Sequence, residues 1–239
     1  MAQYWRDFEH IALGGVPDDL TQLWAPFEIL EVVADTGALN GKSLRLVTPS
    51  EDARVGYTFD NIDASADTHV ILRVRRAGNY TGTTQFGVAA RMAGSSGSES
   101  SYQTFFRGTR SIQFTRYTNG SISSLSQQTP GVGTLAEGTD WRFIEMRNTG
   151  SLHEFRSWTE GFSQPSFYSI TNDVLMSPGG TGIFAFAGGL EYFVDYISVG
   201  TAGDMALTEP PEVGLIAPTL ITPADTATGV ILRPEFTWT

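Results

Sequence analysis

The chain has no cysteine. Disulfides and thiolate metal sites are therefore excluded. Secreted eukaryotic domains more often carry a disulfide, so the absence points to a bacterial or phage source. Lysine is nearly missing too: Lys42 stands alone among 15 basic residues, and the rest are arginines. Arginine's planar fork suits fixed pairing and ring stacking better than general solubility. Positive charge is in deficit overall, with a net charge of −11. Such a chain repels phosphate backbones, which argues against a nucleic-acid partner. No apolar run is long enough to span a bilayer, so no membrane insertion is expected. The opening Met1-Ala2-Gln3-Tyr4-Trp5-Arg6-Asp7 lacks an apolar signal core. A protein can reach the outside without such a core through cell lysis, as phage virion proteins do.

What is present fits a β protein. Of 239 residues, 41% are hydrophobic and 12% aromatic, enough for a sizeable core. Long helical patterns are missing, while the 26 Gly and 11 Pro recur at the short intervals of turns between strands. Strands are expected at 28–34, 43–47, 54–59, 69–76, 85–92, 101–107, 110–117, 141–147, 152–158, 182–187 and 191–199. Several alternate strictly: Val70, Leu72 and Val74 against Ile71, Arg73 and Arg75; Phe86, Val88 and Ala90 against Gly87, Ala89 and Arg91. Alternation of this kind implies one buried and one exposed face. Residues 1–200 read as one antiparallel two-sheet domain. Residues 201–221, with Glu209-Pro210-Pro211-Glu212 and Pro218, read as a Pro-rich linker. Residues 222–239 read as the first strands of an incomplete immunoglobulin- or fibronectin-like repeat, with an ordinary C-terminal tail as the alternative.

Several pieces, in order, resemble the concanavalin A-like lectin/glucanase superfamily, in particular its laminin G-like jelly rolls. Asp7-Phe8-Glu9 resembles the first strand of that family, and Asn40-Gly41-Lys42-Ser43-Leu44-Arg45-Leu46 its second. Trp141-Arg142-Phe143-Ile144-Glu145-Met146-Arg147 with Gly150 resembles its W-x-x-I-x-x-R…G segment. Phe155-Arg156-Ser157-Trp158-Thr159-Glu160-Gly161 and Gly179-Gly180-Thr181-Gly182-Ile183-Phe184 follow, and Phe193-Val194-Asp195-Tyr196-Ile197-Ser198-Val199 resembles the closing strand. The resemblance covers about residues 5–200 and implies a jelly-roll sandwich. Glu160 stands where the family has Asp, and Phe167 where many members have Trp. The opening segment, with Gly14-Gly15-Val16-Pro17-Asp18-Asp19-Leu20, also resembles phage virion proteins of this type.

Retaining glycosidases need two carboxyl groups about 5–5.5 Å apart, which the glycosidase branches supply as E-x-D-x-x-E or E-x-D-x-E on one strand. No such run occurs here, so the chain is not expected to be an enzyme. No G-x-S-x-G elbow or paired histidine spacing occurs either. The resemblance implies a structural Ca²⁺ held by Asp195 with Asp7 and Gly41, since calcium accepts about six to eight oxygens from carboxylates and carbonyls. The alternative role for Asp195 is to accept hydrogen bonds from a neighbouring loop. Laid side by side, the strands present a polar face with Trp158, Tyr117, Arg91, Arg107, Arg156 and Glu154. Such residues could hold a sugar, with a ring under the pyranose and charged groups reading its hydroxyls. The alternative is a ladder of Arg–Glu pairs on a solvated sheet.

These readings lead to one expectation: a structural or adhesion protein of a phage particle, a fibre, spike or decoration component. It would act in the virion or outside the cell, bind a host surface glycan, contact other virion proteins and self-associate. The alternatives are a secreted glycoside hydrolase-type or carbohydrate-binding module of a polysaccharide-degrading protein, and an architectural jelly roll without a ligand.

Overall fold

Strict alternation along a strand buries every second side chain, and two sheets must then face each other to hide both apolar faces. That is what the computed structural model shows. It describes residues 2–50, 53–77, 85–107, 111–128, 140–172, 176–186 and 188–210. In chain order the strands are β1 (Ala2–Arg6), β2 (Leu20–Gln22), β3 (Ile29–Ala34), β4 (Lys42–Val47), β5 (Arg54–Phe59), β6 (Thr68–Ala77), β7 (Gln85–Ala93), β8 (Ser100–Arg107), β9 (Ser111–Thr118), β10 (Ser121–Gln128), β11 (Arg142–Thr149), β12 (Leu152–Thr159), β13 (Tyr168–Thr171), β14 (Gly180–Phe186) and β15 (Glu191–Thr201). The described residues contain no helix.

One sheet, of eight strands, runs β13-β12-β11-β6-β15-β4-β3, with β1 added beside the second half of β15. The other, of seven, runs β10-β9-β8-β7-β14-β5-β2. Pairing between the named strands is antiparallel throughout. We call them the first and second sheets. The core lies between them, with Val70, Leu72, Val74, Ile144, Met146 and Phe155 from the first and Phe86, Val88, Tyr102, Phe114 and Ile183 from the second. Each such side chain contributes about 1.5–3 kcal/mol when fully buried.

Each segment expected as a strand is one, within a residue or two at its ends. Four further strands (β1, β2, β10 and β13) carry little apolar alternation. Three of them close the edges of the sheets, and β1 adds beside β15. β10, Ser121–Gln128, is mostly serine and glutamine; an edge strand with both faces near water needs no apolar phase. Its hairpin from β9 turns on Asn119 (φ 49) and Gly120 (φ 75), the pair of positive φ angles that a two-residue turn of this hand requires. Asp7-Phe8-Glu9 is not the first strand: Phe8 has φ 63 and drops its ring into the core as the chain leaves β1. Residues 201–210, the first half of the stretch read as a linker, lie against the first sheet, with Ala206 buried beside Ile71 and Tyr196. Residues 211–239, which hold the rest of the linker and the repeat-like segment, lie outside the described residues.

His153 is the one histidine inside the core. Its ring sits 4.3 Å from Tyr102 and 5.1 Å from Phe114, and Nδ1 lies 2.7 Å from Asn148 Oδ1. Burial, aided by the positive charge of Arg91, pushes its pKa down to about 4 from an ordinary 6.5. Between those values the unfolded chain binds a proton that the folded chain does not. Stability therefore falls as the pH is lowered through that window, by up to about 3 kcal/mol. Urea unfolding at pH 7 and pH 4.5 should show a larger loss for the wild type than for His153→Gln, and equal losses would contradict this account.

Candidate functional site

The outward side chains of the first sheet fall into rows across β12, β11, β6 and β15. One row is Trp158, Phe143, Arg73 and Tyr196; the next is Arg156, Glu145, Ile71 and Ser198; the third is Glu154, Arg147, His69 and Gly200. A bulge between Val194 and Tyr196 in β15 sets Asp195 and Tyr196 together on this face.

Arg73, only 4% exposed, organises the first row. A buried guanidinium must be paired, and here two carboxylates do so. Nη1 donates to the fully buried Asp195, while Nε and Nη2 fork onto Glu160 at 2.7–3.1 Å. The guanidinium also lies 4.3 Å above the Trp141 ring. Asp195 accepts a second bond, from the Leu39 amide at 2.9 Å, which ties the 35–41 loop to the sheet. Burial raises the Asp195 pKa, and the charge of Arg73 only partly offsets that. The same loop is held from inside by Asp35, which takes bonds from Gly37 N, Ser43 Oγ and Arg75.

Aromatic rings bridge the same row. Trp158 stacks on Phe143 at 4.7 Å, Phe143 meets Tyr196 at 6.4 Å, and Tyr196 stacks on Trp5 of β1 at 4.2 Å. Above them opens a cavity of about 520 Å³. Phe143, Trp158 and Tyr196 form its floor, and Leu39 and Ile71 contribute apolar contacts. Glu160 and Gln164 stand on one side; Thr208, Glu209 and Pro210 form another wall.

That last wall belongs to a strap, residues 204–210, anchored beside the second and third rows. Ala206 N donates to His69 Nδ1 at 2.9 Å, and Gln3 Nε2 donates to Met205 O at 2.8 Å. With Nδ1 accepting, the proton of His69 is assigned to Nε2, which donates to Glu145 at 2.7 Å. Glu145, 1% exposed, also accepts from Arg156 at 2.6 Å and Arg147 at 3.0 Å. Burial alone would raise its pKa, but the bonds from His69 and Arg156 more than reverse that and hold it low. Phe167, the departure from the family's Trp, lies 4.1 Å from both Arg147 and Arg156.

The residues expected to bind a sugar divide between the two sheets. Trp158, Arg156 and Glu154 lie on β12 of the first. Tyr117, Arg91 and Arg107 lie on β9, β7 and β8 of the second, so the six do not form one surface. Arg91 sits at a bulge with φ 53, nearly sealed from solvent, and its guanidinium bonds the carbonyls of Ala66, Met176 and Gly150. Tyr117 is buried near Phe184 and under Arg54. Trp158 does line the cavity, but it is only 6% exposed, with Phe143 on its ring and Arg156 5.2 Å from it. The half-buried Phe143 therefore replaces it as the open ring of the floor. Arg156 belongs to the Arg–Glu ladder instead, holding Glu145 and Pro165 O, and Glu154, beside Arg147 in register, accepts from Ser169 Oγ.

The calcium set also departs from expectation. The Asp195 oxygens are taken by Arg73 and the Leu39 amide, so a guanidinium already stands where the metal charge would go. Asp7 accepts from Asn40 Nδ2 at 2.7 Å, and the Gly41 carbonyl accepts from Asp35 N at 2.9 Å. Among the described residues no three His, Asp or Glu side chains converge to hold a metal ion. The donor set does not fit Ca²⁺, whose oxygens must be free to face it. Sequence reasoning missed Phe143, Tyr196, Gln164 and the strap. The outward phase of Phe143 against Ile144 was legible, but which strands flank it was not.

No known protein family and no curated protein matches the sequence at a significant level. Similarity is structural. A protein of unknown function, SO2946 from Shewanella oneidensis MR-1, superposes with a TM-score of 0.55 at 10% identity, covering 82% of this chain and 84% of that one. The exoplasmic/lumenal domain of VIP36, in a Ca²⁺/Man-bound form, gives 0.55 at 12% identity, covering 88% and 92%. The GH43 protein BlXynB from Bacillus licheniformis gives 0.52 at 14% identity over 82% of this chain, which spans only 39% of that protein. The fold is thus a two-sheet antiparallel jelly-roll sandwich like that of these structures.

Removing one partner of a buried ion pair leaves an uncompensated charge, at a cost of about 3–5 kcal/mol. Arg73→Met should lower stability by that order in guanidinium unfolding, and Arg73→Met with Asp195→Asn should recover part of the loss. A double variant no more stable than the single one would show that the pair does not work this way. Because Arg73 occupies Asp195, excess Ca²⁺ or a chelator should leave the wild-type thermal midpoint unchanged; a rise with Ca²⁺ would refute the misfit.

Proposed function

We propose that the chain is a non-catalytic glycan-binding jelly roll whose ligand seats in the cavity over Phe143. The observation that carries this reading is one cavity of about 520 Å³, within the roughly 300–1,000 Å³ of small-ligand sites. Its aromatic floor is bordered by carboxylate and amide groups. An aromatic ring withdraws the C–H face of a pyranose from water, while Glu160, Gln164 and Glu209 present acceptors and a donor to its hydroxyls. The likeness to VIP36, a domain observed in a Ca²⁺/Man-bound form, supports a sugar as the ligand.

A catalytic role is not proposed. Asp195 has no contact with solvent, and both oxygens of Glu160 engage Arg73, so neither is poised as the acid or nucleophile of a retaining pair. The phage-like opening segment supports an extracellular adhesive role on a fibre, spike or decoration component that self-associates and contacts other virion proteins. The same cavity would serve a carbohydrate-binding module of a polysaccharide-degrading protein.

On a glycan array the purified chain should bind one class of oligosaccharide saturably. Phe143→Ala should weaken that binding at least tenfold, and Ile122→Ala, on the exposed edge of the second sheet, should leave it unchanged. No new reducing ends should form on prolonged incubation. The absence of saturable binding anywhere on the array would overturn the proposal.

A further inference from the structure

The charge around the cavity restricts which sugars can enter it. Among the described residues that line it, Arg73 is the single base. Its guanidinium is fully committed: Nη1 to Asp195, Nε and Nη2 to Glu160, with the Gly37 carbonyl 3.4 Å from both terminal nitrogens. One positive charge thus stands against two carboxylates. Glu209, exposed on the strap, adds a third carboxylate to the lining. The side chain of Glu160 is 46% exposed, so its charge faces the opening.

Bases nearby do not reverse this balance. Arg156, 5.2 Å from the Trp158 ring, holds Glu145 and Pro165 O, and Arg75, beside Trp141, holds Asp35. Recognition of a carboxylate or phosphate needs an open fork or clustered donors. Here the guanidinium forks are already filled. An acidic sugar would bring a like charge into a partly desolvated site beside Glu160 and Glu209, where screening is weaker than in bulk water.

Resting on the glycan-binding reading, the geometry points to a charge filter: the cavity takes neutral and amine-bearing sugars and excludes uronic acids and other anionic sugars. Glu160, Glu209 and the Gln164 carbonyl accept from hydroxyls and from an ammonium group alike, and the two carboxylates add charge attraction for the ammonium. Glu209 is the adjustable element, because it is exposed and takes no part in the Arg73 cluster.

The test is a titration, at low and high salt, of three tetramers built on whichever backbone binds the array. One is neutral, one carries free amines and one carries uronates. Relative to the neutral tetramer, the amine should bind several-fold tighter and the uronate at least tenfold weaker at low salt, with both differences shrinking in high salt. Glu209→Lys should narrow or invert the order of amine and uronate, each read relative to the neutral tetramer on the same variant. Uronate binding as tight as neutral, with Phe143→Ala still abolishing it, would overturn the filter and leave the glycan-binding reading intact. If no tetramer and no array glycan binds, the glycan-binding reading itself falls, and the filter with it.

Discussion

Arg73 is the residue on which sheet, loop and cavity all depend. A guanidinium with almost no solvent contact cannot stand alone in a β-sandwich, because desolvation would cost several kcal/mol without a counter-charge. Asp195 supplies that charge from a bulge in β15, and Glu160 supplies a second from the turn after β12. Each partner carries a constraint with it. Asp195 holds the Leu39 amide and therefore the loop that forms one rim of the cavity. Glu160 is drawn to the same guanidinium, which also lies 3.4 Å from the Gly37 carbonyl of that loop. The Trp141 ring beneath the guanidinium closes the arrangement from the side.

The rest of the outer face of the first sheet follows the same logic at lower stakes. Glu145 sits in the middle of a row with a base or an apolar residue on either side, and it is satisfied by His69, Arg147 and Arg156. Because His69 also receives the Ala206 amide, the strap that walls the cavity is tied to the same polar layer. Aromatic rings fill the spaces that the ion pairs leave, so Trp158, Phe143, Tyr196 and Trp5 run as one contact chain across the sheet. Paired charges and stacked rings together make a face that is largely dry yet chemically specific. That combination suits a ligand with both apolar and hydroxylated surfaces.

Much of the fold is legible in the sequence. The alternation at Val70–Arg75 and Phe86–Arg91 located β6 and β7. The strands that escaped notice have little apolar patterning, as β10 illustrates, since water rather than a second sheet lies against much of their surface. The site was half legible. Trp158 was read as a sugar-stacking ring on an outward face; it does line the cavity, yet its ring is covered by its neighbours, and the open ring is Phe143. Asp195 was singled out, and in the fold it accepts from Arg73 and from the Leu39 amide of the 35–41 loop.

By itself the sequence determined an all-β chain, the phase of the alternating strands, and an outer face rich in arginine, glutamate and aromatic residues. Period-two alternation states which side chains share a side of one strand. It is silent on which strands are neighbours, because the two sheets of a sandwich bury the same kind of residue with the same period. Only the tertiary pairing sent Arg91, Arg107 and Tyr117 to one sheet and Trp158, Phe143 and Arg73 to the other. Only the chain's return after β15 laid Thr208, Glu209 and Pro210 over that second group. The cavity is made of contacts between segments far apart in the chain, and local pattern carries no record of them.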